Sequence, residues 1–157
     1  MTDPIVRRAV PADAHALVEL RAAMFHALGQ DDGPADAPWR TAAGRWFAER
    51  LAEETGTAVF VVDVDGRPVS CAMGLVERRA PSPANPSSTR GHVSQVSTLP
   101  EHRRQGYARA CLAALLGWFE TETGARFVDL HAAPDGAALY RSLGFRDAPN
   151  PGMRLTF

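Results

Sequence analysis

A turn between a strand and a helix, near residue 105, carries residues suited to holding a diphosphate. Arg103, Gly106 and Ala108 are spaced as R-x-x-G-x-A, between an apolar stretch and a long run with helical periodicity. The first amides of a helix have no partner within the helix and lie at the positive end of its dipole. Because Gly106 and Ala108 carry little or no side chain, a diphosphate can approach those amides closely. Arg104 and Arg109 add positive charge beside them.

Two common nucleotide-binding patterns are missing from this turn. It matches neither G-x-x-x-x-G-K-[ST] nor G-x-G-x-x-G, which argues against ATP and NAD as ligands. Alone, R-x-x-G-x-A is a weak signal, since any helix can begin with glycine and arginine. A second pattern follows at residues 139–145, L-Y-R-S-L-G-F, which places Tyr140 on a short helix that ends at Gly144.

Together the two patterns resemble the GNAT N-acetyltransferase superfamily, whose R/Q-x-x-G-x-G/A turn binds the pyrophosphate and pantetheine of acetyl-CoA. The resemblance implies acetyl-CoA as co-substrate, with the strand that holds Gln95 splayed from the strand at residues 129–131. It implies that main-chain groups of Val96, Ser97 and Thr98 line the acetyl and pantetheine arm. The implied pyrophosphate turn comprises Arg103, Arg104, Gln105, Gly106, Tyr107, Ala108 and Arg109.

Acetyl transfer from a thioester to an amine requires a neutral amine, a stabilised oxyanion and a proton for the departing thiolate. The resemblance implies a main-chain N–H near Val96 or Ser97 as the oxyanion donor. A phenol has a pKa of about 10, so Tyr140 stays protonated at neutral pH and can donate to the thiolate. The alternative is a core tyrosine with a satisfied hydroxyl, but the setting in L-Y-x-x-x-G-F favours the acid.

The general base stays open at this point. Glu77, at the end of a predicted hairpin strand, and His131, at the end of a strand near the cofactor slot, are the first candidates. Their alternatives are a solvated strand terminus and a histidine packed on the core. His92 and Glu101 are weaker candidates, and a water chain is equally plausible. A weak base would favour an amine of low pKa, because deprotonating a lysine amine at pH 7 costs about 4 kcal/mol of free energy.

The sequence departs from the family at one position and says little about the acceptor. Many members carry Asn seven residues before the tyrosine, where Ala133 stands here; Asp135 or a main-chain group is a substitute. Three acids between the first two predicted helices either attract a cationic amine or are merely solvated: Asp31, Asp32 and Asp36. Trp39 and the proline-rich stretch 78–90 are candidates for walls or a lid.

The order of elements predicts an α/β (α+β) fold in a single domain over residues 1–157. Strands are expected at residues 5–10, 57–64, 68–76, 91–98 and 126–131, with the last strands from residue 145 onwards. Helices are expected from an N-cap at Asp13 to residue 28, and at residues 39–54, 105–122 and 134–143. The prediction is a GNAT-like mixed, mostly antiparallel sheet of six to seven strands flanked by about four helices, with splayed strands around the cofactor.

Composition limits the remaining choices. Net charge is −1, so nothing points to nucleic acid or a membrane surface as partner. The cysteines, Cys71 and Cys111, lie in apolar stretches without C-x-x-C spacing, which predicts two buried thiols and neither a metal site nor a disulfide. Residues 1–8 lack the apolar core of a signal peptide and no apolar run is long enough to cross a bilayer, so a cytoplasmic location is expected.

The expected function is N-acetyltransfer from acetyl-CoA to a primary amine of a small molecule or peptide, by direct attack in a ternary complex. The alternative is a catalytically silent acyl-CoA sensor or interaction module of the same fold. Tyr140 argues mildly against the alternative, because a sensor needs no acid. The apolar C-terminal strand offers a surface for a homodimer.

Overall fold

A five-stranded sheet organises the protein, whose computed structural model describes residues 3–157. Its strands lie in sequence order: β1 (Ile5–Arg8), β2 (Thr57–Val64), β3 (Arg67–Arg78), β4 (Thr89–Thr98) and β5 (Phe127–Leu130). β1 to β4 pair antiparallel, and β5 pairs parallel to β4. The mixed, mostly antiparallel sheet is therefore confirmed, but it has five strands within residues 3–157 instead of six to seven.

The central hairpin explains why β2 and β3 lie next to each other. Asp65 and Gly66 both adopt positive φ, 52° and 83°, which is the backbone of a tight hairpin turn. The β-branched and apolar residues on either side are buried on both faces of the sheet. Such strands need cover on both faces, and the helices provide it.

Four α-helices flank the sheet, as predicted: α1 (Ala14–Ala27), α2 (Pro38–Ala52), α3 (Tyr107–Trp118) and α4 (Ala137–Ser142). α1 packs on β3 and β4, while α3 packs on β2 and β3 from the other face. The neighbours Ser70 and Cys71 show the two faces, since Ser70 lies beside Cys111 of α3 and Cys71 contacts Gln95 beneath α1. α3 continues as a π-helical turn, Phe119–Thr123, before Gly124.

Asp13 is the N-cap residue of α1, as predicted, but its side chain accepts no hydrogen bond from the first turn of that helix. It ends a 3-10 turn, Pro11–Asp13, and its buried carboxylate accepts the backbone N–H of Val10 at 2.8 Å. The same carboxylate accepts two hydrogen bonds from Arg7, at 2.8 and 3.0 Å, and Arg7 also binds Asp63 at 2.7 Å. These contacts hold the turn against β1 and β2, so the acid is used by the sheet edge instead of the helix.

The last strands expected from residue 145 onwards are not formed. Residues 145–157 have no regular secondary structure, and Met153, Leu155 and Phe157 are 100, 76 and 110% exposed. Their alternation with Arg154 and Thr156 is typical of a strand. Alternation does not form a strand without a partner, and this segment has none in the structure.

Two further expectations concern the cysteines and the membrane. Cys71 and Cys111 are both free and buried, as predicted. Burial raises the pKa of Cys71 to about 12 and that of Cys111 to about 11, which makes both thiols unreactive. Within residues 3–157, no helix combines the length and apolar character that crossing a bilayer requires.

Candidate functional site

β4 and β5 run together over four residues and then part. Arg90 to Val93 pair with residues 127–130, and β4 continues to Thr98 beyond the end of β5 at Leu130. A bulge marks the parting, because Val93 and Gln95 face Gly74 and Met73 of β3 and leave Ser94 without a partner there. Backbone groups of β4 that point away from β3 therefore lack a neighbouring strand after Val93. The predicted splay is present.

A cavity of about 620 Å³ opens beside this parting. It joins the end of β4, the turn before α3, the start of α4 and the end of α1. Nine of the eleven predicted cofactor residues line it, namely Val96, Ser97, Thr98, Arg103, Arg104, Gly106, Tyr107, Ala108 and Arg109. Other lining residues include His102, Ala133, Asp135, Gly136, Leu139 and Tyr140, with Met24, Ala27 and Leu28 of α1.

The turn into α3 exposes unpaired amides to this cavity. Gly106 is the N-cap of α3 and has no side chain that could accept a hydrogen bond from the first turn. Arg104 and Gly106 both have positive φ, 63° and 80°, so the backbone curls back on itself. Positive φ is uncommon for arginine and is often found at functional sites. A concave run of amides at a helix start is suited to binding an anion.

Three arginines surround the amides without being neutralised. Arg103 donates through Nε to the Thr98 carbonyl at 3.2 Å, which ties the turn to β4. Arg109 donates to the Ser142 hydroxyl and so links α3 to α4. None of Arg103, Arg104 and Arg109 forms an ion pair with a carboxylate in the described part of the chain. Their charge remains available to a ligand.

Tyr140 lines the same cavity from α4. Its ring packs against Phe145 at a centroid distance of 6.0 Å, and a Cβ added to Gly136 would lie 3.0 Å from it. The side chain is half-buried, and this burial raises the pKa of Tyr140. Its hydroxyl makes no hydrogen bond to any residue between 3 and 157. Tyr140 therefore holds its proton at neutral pH and has a free donor.

The predicted bases are not gathered around Tyr140. Glu77 lies at the end of β3, accepts from Arg79 at 2.9 Å and is outside the cavity. Glu101 is exposed in the 3-10 turn Pro100–His102. His131 follows β5, is exposed, and lies 5.9 Å from His92 between ring centroids. It shares with Tyr140 a second cavity, of about 330 Å³, along the outer edge of β5.

Sequence reasoning missed His102, the one histidine that lines the large cavity within the described residues. Its ring lies 6.5 Å from that of Tyr107, at the start of α3. Its place in Pro-Glu-His, directly before the arginine turn, is the signal that could have predicted it. His102 sits at the arginine end of the cavity with Arg103 and Arg104.

Gln95 and Gln105 do not line the cavity, although both were predicted to bind cofactor. Gln95 is 2% exposed and faces α1, where its Oε1 accepts from Arg21 at 3.0 Å. Ser97 also faces α1 and donates to the Leu20 carbonyl at 2.7 Å. The Gln105 side chain accepts from the Tyr107 hydroxyl at 3.0 Å. Gln95 thus positions α1, and Gln105 orients Tyr107.

The family model for the acetyltransferase (GNAT) family matches residues 15–145, which include the arginine turn and Tyr140. The chain belongs to the GNAT acetyltransferase family. No curated protein matches it in sequence.

Solved structures of acetyltransferases share its fold over nearly the whole chain. A predicted acetyltransferase with acetyl-CoA from Clostridium acetobutylicum is 20% identical with a TM-score of 0.83, over 98% of this chain and 96% of that one. A GCN5-related N-acetyltransferase from Ralstonia eutropha is 25% identical with a TM-score of 0.79, over 98% and 99%. The aminoglycoside N-acetyltransferase AAC(6')-Iy, in complex with the bisubstrate analogue CoA-S-monomethyl-acetylneamine, is 20% identical with a TM-score of 0.74, over 99% of both chains.

Ala133, where the resemblance led us to expect an Asn, lines the cavity just before the 3-10 turn Pro134–Gly136. Asp135 lines it too, so a carboxylate stands two residues after Ala133. Next to α1 and α2, a third cavity of about 470 Å³ is lined by Asp31, Asp32 and Trp39 but not by Asp36. Asp32 is engaged there by Arg40 at 2.7 Å.

Proposed function

We propose that this GNAT chain is an N-acetyltransferase that moves the acetyl group of acetyl-CoA to a primary amine by direct attack in a ternary complex. One observation carries the proposal. Among the described residues, a single cavity runs from the unpaired amides at the start of α3, beside arginines that have no carboxylate partner, to the unpartnered hydroxyl of Tyr140. It therefore combines a site for a diphosphate with a proton donor for a thiolate.

The proposed cofactor pose follows the cavity. The diphosphate lies on the amides between Arg104 and Arg109, where Gly106 and Ala108 allow close approach. The pantetheine arm lies along β4 from Thr98 towards Val96, where no β5 residue competes for the backbone. A main-chain N–H near Val96 or Ser97 then donates to the thioester oxygen and to the oxyanion that develops on it.

Tyr140 is the proposed general acid. The amine nitrogen attacks the thioester carbonyl carbon, and the tetrahedral adduct breaks its C–S bond. The departing thiolate takes the proton of the Tyr140 hydroxyl, and the phenolate recovers a proton from solvent. The raised pKa of Tyr140 supports this role because it keeps the phenol protonated until the thiolate forms.

The proton of the attacking amine is proposed to pass to a weak base. None of the four predicted bases lines the large cavity, and His131 is separated from it in the groove beyond Tyr140. Water, with or without His131, is therefore the proposed acceptor of that proton. Such a site favours amines that are already partly neutral, since an α-amine has a pKa of about 7.7–8.0 and a lysine amine about 10.4.

The acceptor is proposed to enter from the cavity between α1 and α2. Asp31 and Trp39 there offer a carboxylate and an aromatic face to a cationic amine. AAC(6')-Iy binds an analogue built on an aminoglycoside, so small polyamines of that kind belong in an acceptor panel beside peptides with free N-termini.

None of the four predicted bases lines the large cavity, which favours a second candidate, a sensor that binds acetyl-CoA without turnover. The two functions predict the same ligand and differ in thiol release. An acetyl-CoA thiol-release assay against a panel of amines separates them. Turnover with any amine supports the enzyme, and tight binding of acetyl-CoA with no turnover across the panel supports the sensor.

Matched variants test the roles of the residues. Tyr140→Phe should lower kcat by about 100-fold or more with acetyl-CoA affinity unchanged. Gly106→Glu should abolish acetyl-CoA binding, and Gly124→Glu should not, although both glycines have positive φ and open space around them. Full kcat in Tyr140→Phe would remove the acid role, and no binding by wild type would overturn the proposal.

A further inference from the structure

Arg21, on α1, is a half-buried cation without an anionic partner. It forms no ion pair with any carboxylate in residues 3–157. Its Nη1 donates to Oε1 of the buried Gln95 at 3.0 Å, and it makes no other hydrogen bond within that part of the chain. Cys71, which contacts Gln95, adds no charge, because burial raises the pKa of its thiol to about 12. A partly desolvated guanidinium stays charged and is stabilised by an anion, so Arg21 has room for one.

Arg21 lines the third cavity, of about 470 Å³, together with two aromatic rings. Its guanidinium carbon lies 4.9 Å from the centroid of the Phe25 ring, and the rings of Phe25 and Trp39 meet edge to face at 5.7 Å. The indole N–H of Trp39 donates to the Asp32 carbonyl at 2.7 Å, so it is not available to a ligand. The cavity therefore combines one cation with apolar walls, at a volume typical of small-molecule sites.

The two acids of this cavity do not neutralise Arg21. Asp32 pairs with Arg40 at 2.7 Å. Asp31 is exposed and accepts the backbone N–H of Gly33 at 2.9 Å. Neither acid forms an ion pair with Arg21 in the described chain. The cavity thus presents one unpaired group of each sign, Asp31 to an ammonium group at its exposed side and Arg21 to a carboxylate further in.

Arg21 also lies close to the proposed reacting centre. Met24, one turn further along α1, lines the large cavity that is proposed for acetyl-CoA. Gln95, which binds the guanidinium, directly precedes Val96, whose main-chain N–H is a proposed oxyanion donor. A carboxylate bound to Arg21 would therefore keep an amine on the adjoining carbon near the end of the pantetheine arm, where the thioester is expected.

We propose that the acceptor is a free α-amino acid whose carboxylate binds Arg21 and whose apolar side chain packs on Phe25 and Trp39. Its amine attacks the thioester by the route described above, and the products are an N-acetylamino acid and the CoA thiol. Arg21 then selects the acceptor, and Gln95 is the positioning residue that orients the guanidinium. The acceptor role rests on the proposed function, whereas binding of the carboxylate by Arg21 does not.

The same contact compensates for the weak base. In a free amino acid the carboxylate stabilises the neighbouring ammonium group. Arg21 neutralises that carboxylate, and a nearby cation disfavours the charged form of an amine. A larger share of the bound amine is therefore neutral at pH 7. Asp31 acts in the opposite sense, but it is exposed and solvent screens it, and the charges of Asp32 and Arg40 offset each other.

Calorimetric titration separates carboxylate binding from turnover. Wild type saturated with CoA, which has no acetyl group to transfer, should bind L-phenylalanine about 10-fold or more tightly than L-phenylalaninamide, which lacks the carboxylate. Arg21→Met should lose this preference and Arg21→Lys should keep part of it. Arg45→Met, at an exposed arginine of α2 that forms no ion pair in the described chain, is the matched control and should keep all of it. Equal binding of acid and amide by wild type, a preference that survives in Arg21→Met, or no binding of either compound would overturn the carboxylate site.

Kinetics test the acceptor role. Thiol release from acetyl-CoA should favour phenylalanine over its amide in kcat/KM by about 10-fold or more. The acid limb of the kcat profile with phenylalanine should move to higher pH in Arg21→Met, because the bound amine then lacks its nearby cation. A purely structural role of Arg21 would lower kcat without moving that limb, which would overturn the effect on the amine. Turnover of other amines but not of phenylalanine would overturn the acceptor class and keep the proposed function, whereas no turnover of any amine would count against both.

Discussion

At the scale of single residues, Tyr140 shows how position gives a common side chain a specific task. The L-Y-x-x-x-G-F pattern was enough to single it out. The sequence could not show that its hydroxyl lacks a partner, because that depends on groups from β5 and from the segment after α4. Glu77 illustrates the opposite limit. It ends a strand, as predicted, yet lies outside the cavity, since the chain order does not give the lateral distance between strand ends.

The pH dependence of kcat follows from the burial of Tyr140. Burial disfavours the phenolate and raises the pKa, so the acid form persists above the ordinary value of about 10. With an acceptor of low pKa, kcat should therefore hold on the alkaline side until beyond pH about 10 and then fall. A pH profile of kcat for wild type and Tyr140→Phe checks this. An alkaline fall that starts below the ordinary phenol pKa, or that persists unchanged in Tyr140→Phe, would assign it to another group.

At the scale of elements, the sheet is stabilised by contacts between residues far apart in the sequence, which sequence periodicity does not predict. Strands β2 and β3 could be predicted because a turn signal separates two β-branched runs. The use of the Asp13 side chain at the sheet edge could not, because it depends on Arg7 of β1, which also binds Asp63 of β2. The bulge at Ser94, where β4 parts from β5, could not be predicted either. One extra residue in β4 does not visibly change the alternation of apolar and polar residues in the sequence.

Asp13→Asn should lower the free energy of unfolding by about 1–3 kcal/mol at pH 7. The hydrogen bond from Arg7 is the main cause that lowers the pKa of Asp13 in the folded state. Its contribution is therefore full above the unfolded-state pKa of about 3.9 and is lost as pH falls through the lower folded value. Denaturant titrations at neutral and acidic pH should show the two proteins converging in acid. Asp36→Asn, an exposed loop control, should stay within about 0.5 kcal/mol of wild type.

Phe119 presents its ring to two glycines that face it from neighbouring strands. A Cβ at Gly91 would lie 2.5 Å from the ring, so Gly91→Ala should cost about 1–3 kcal/mol in unfolding free energy through overpacking. Gly117→Ala is the control, because its Cβ meets nothing within 4 Å and α3 should gain about 0.5–1 kcal/mol. Chemical denaturation measures both. Equal effects of the two changes would mean that the ring moves aside.

At the scale of the whole molecule, layers and helix count could be predicted and the outer boundary of the sheet could not. The local sequence pattern predicts that a segment is a strand, but it does not predict which other strand that segment pairs with. Residues 153–157 have the alternation of a strand and no strand beside them in the structure. The family resemblance supplied what composition could not, since a net charge of −1 gives no hint of a tetra-anionic ligand of the CoA type.

Acetyl-CoA should stabilise the whole fold if it occupies the slot. A ligand that binds only the folded state adds about 2.7 kcal/mol at a hundred times its Kd. Thermal unfolding with increasing acetyl-CoA should therefore raise Tm steadily in wild type and leave Gly106→Glu unshifted. A Tm that ignores acetyl-CoA in wild type would contradict the proposed site.

The parting of β4 from β5 has a consequence for any attempt to improve this protein by selection. Each backbone pair that a longer β4–β5 ladder would add is a favourable contact that the molecule forgoes between residues 94 and 98. Selection for thermostability alone should therefore accumulate substitutions that extend the pairing of β4 with β5, for example by removing the bulge at Ser94. Such variants would have higher thermal stability but no space for a ligand between β4 and β5. Only selection for activity would keep the two strands apart.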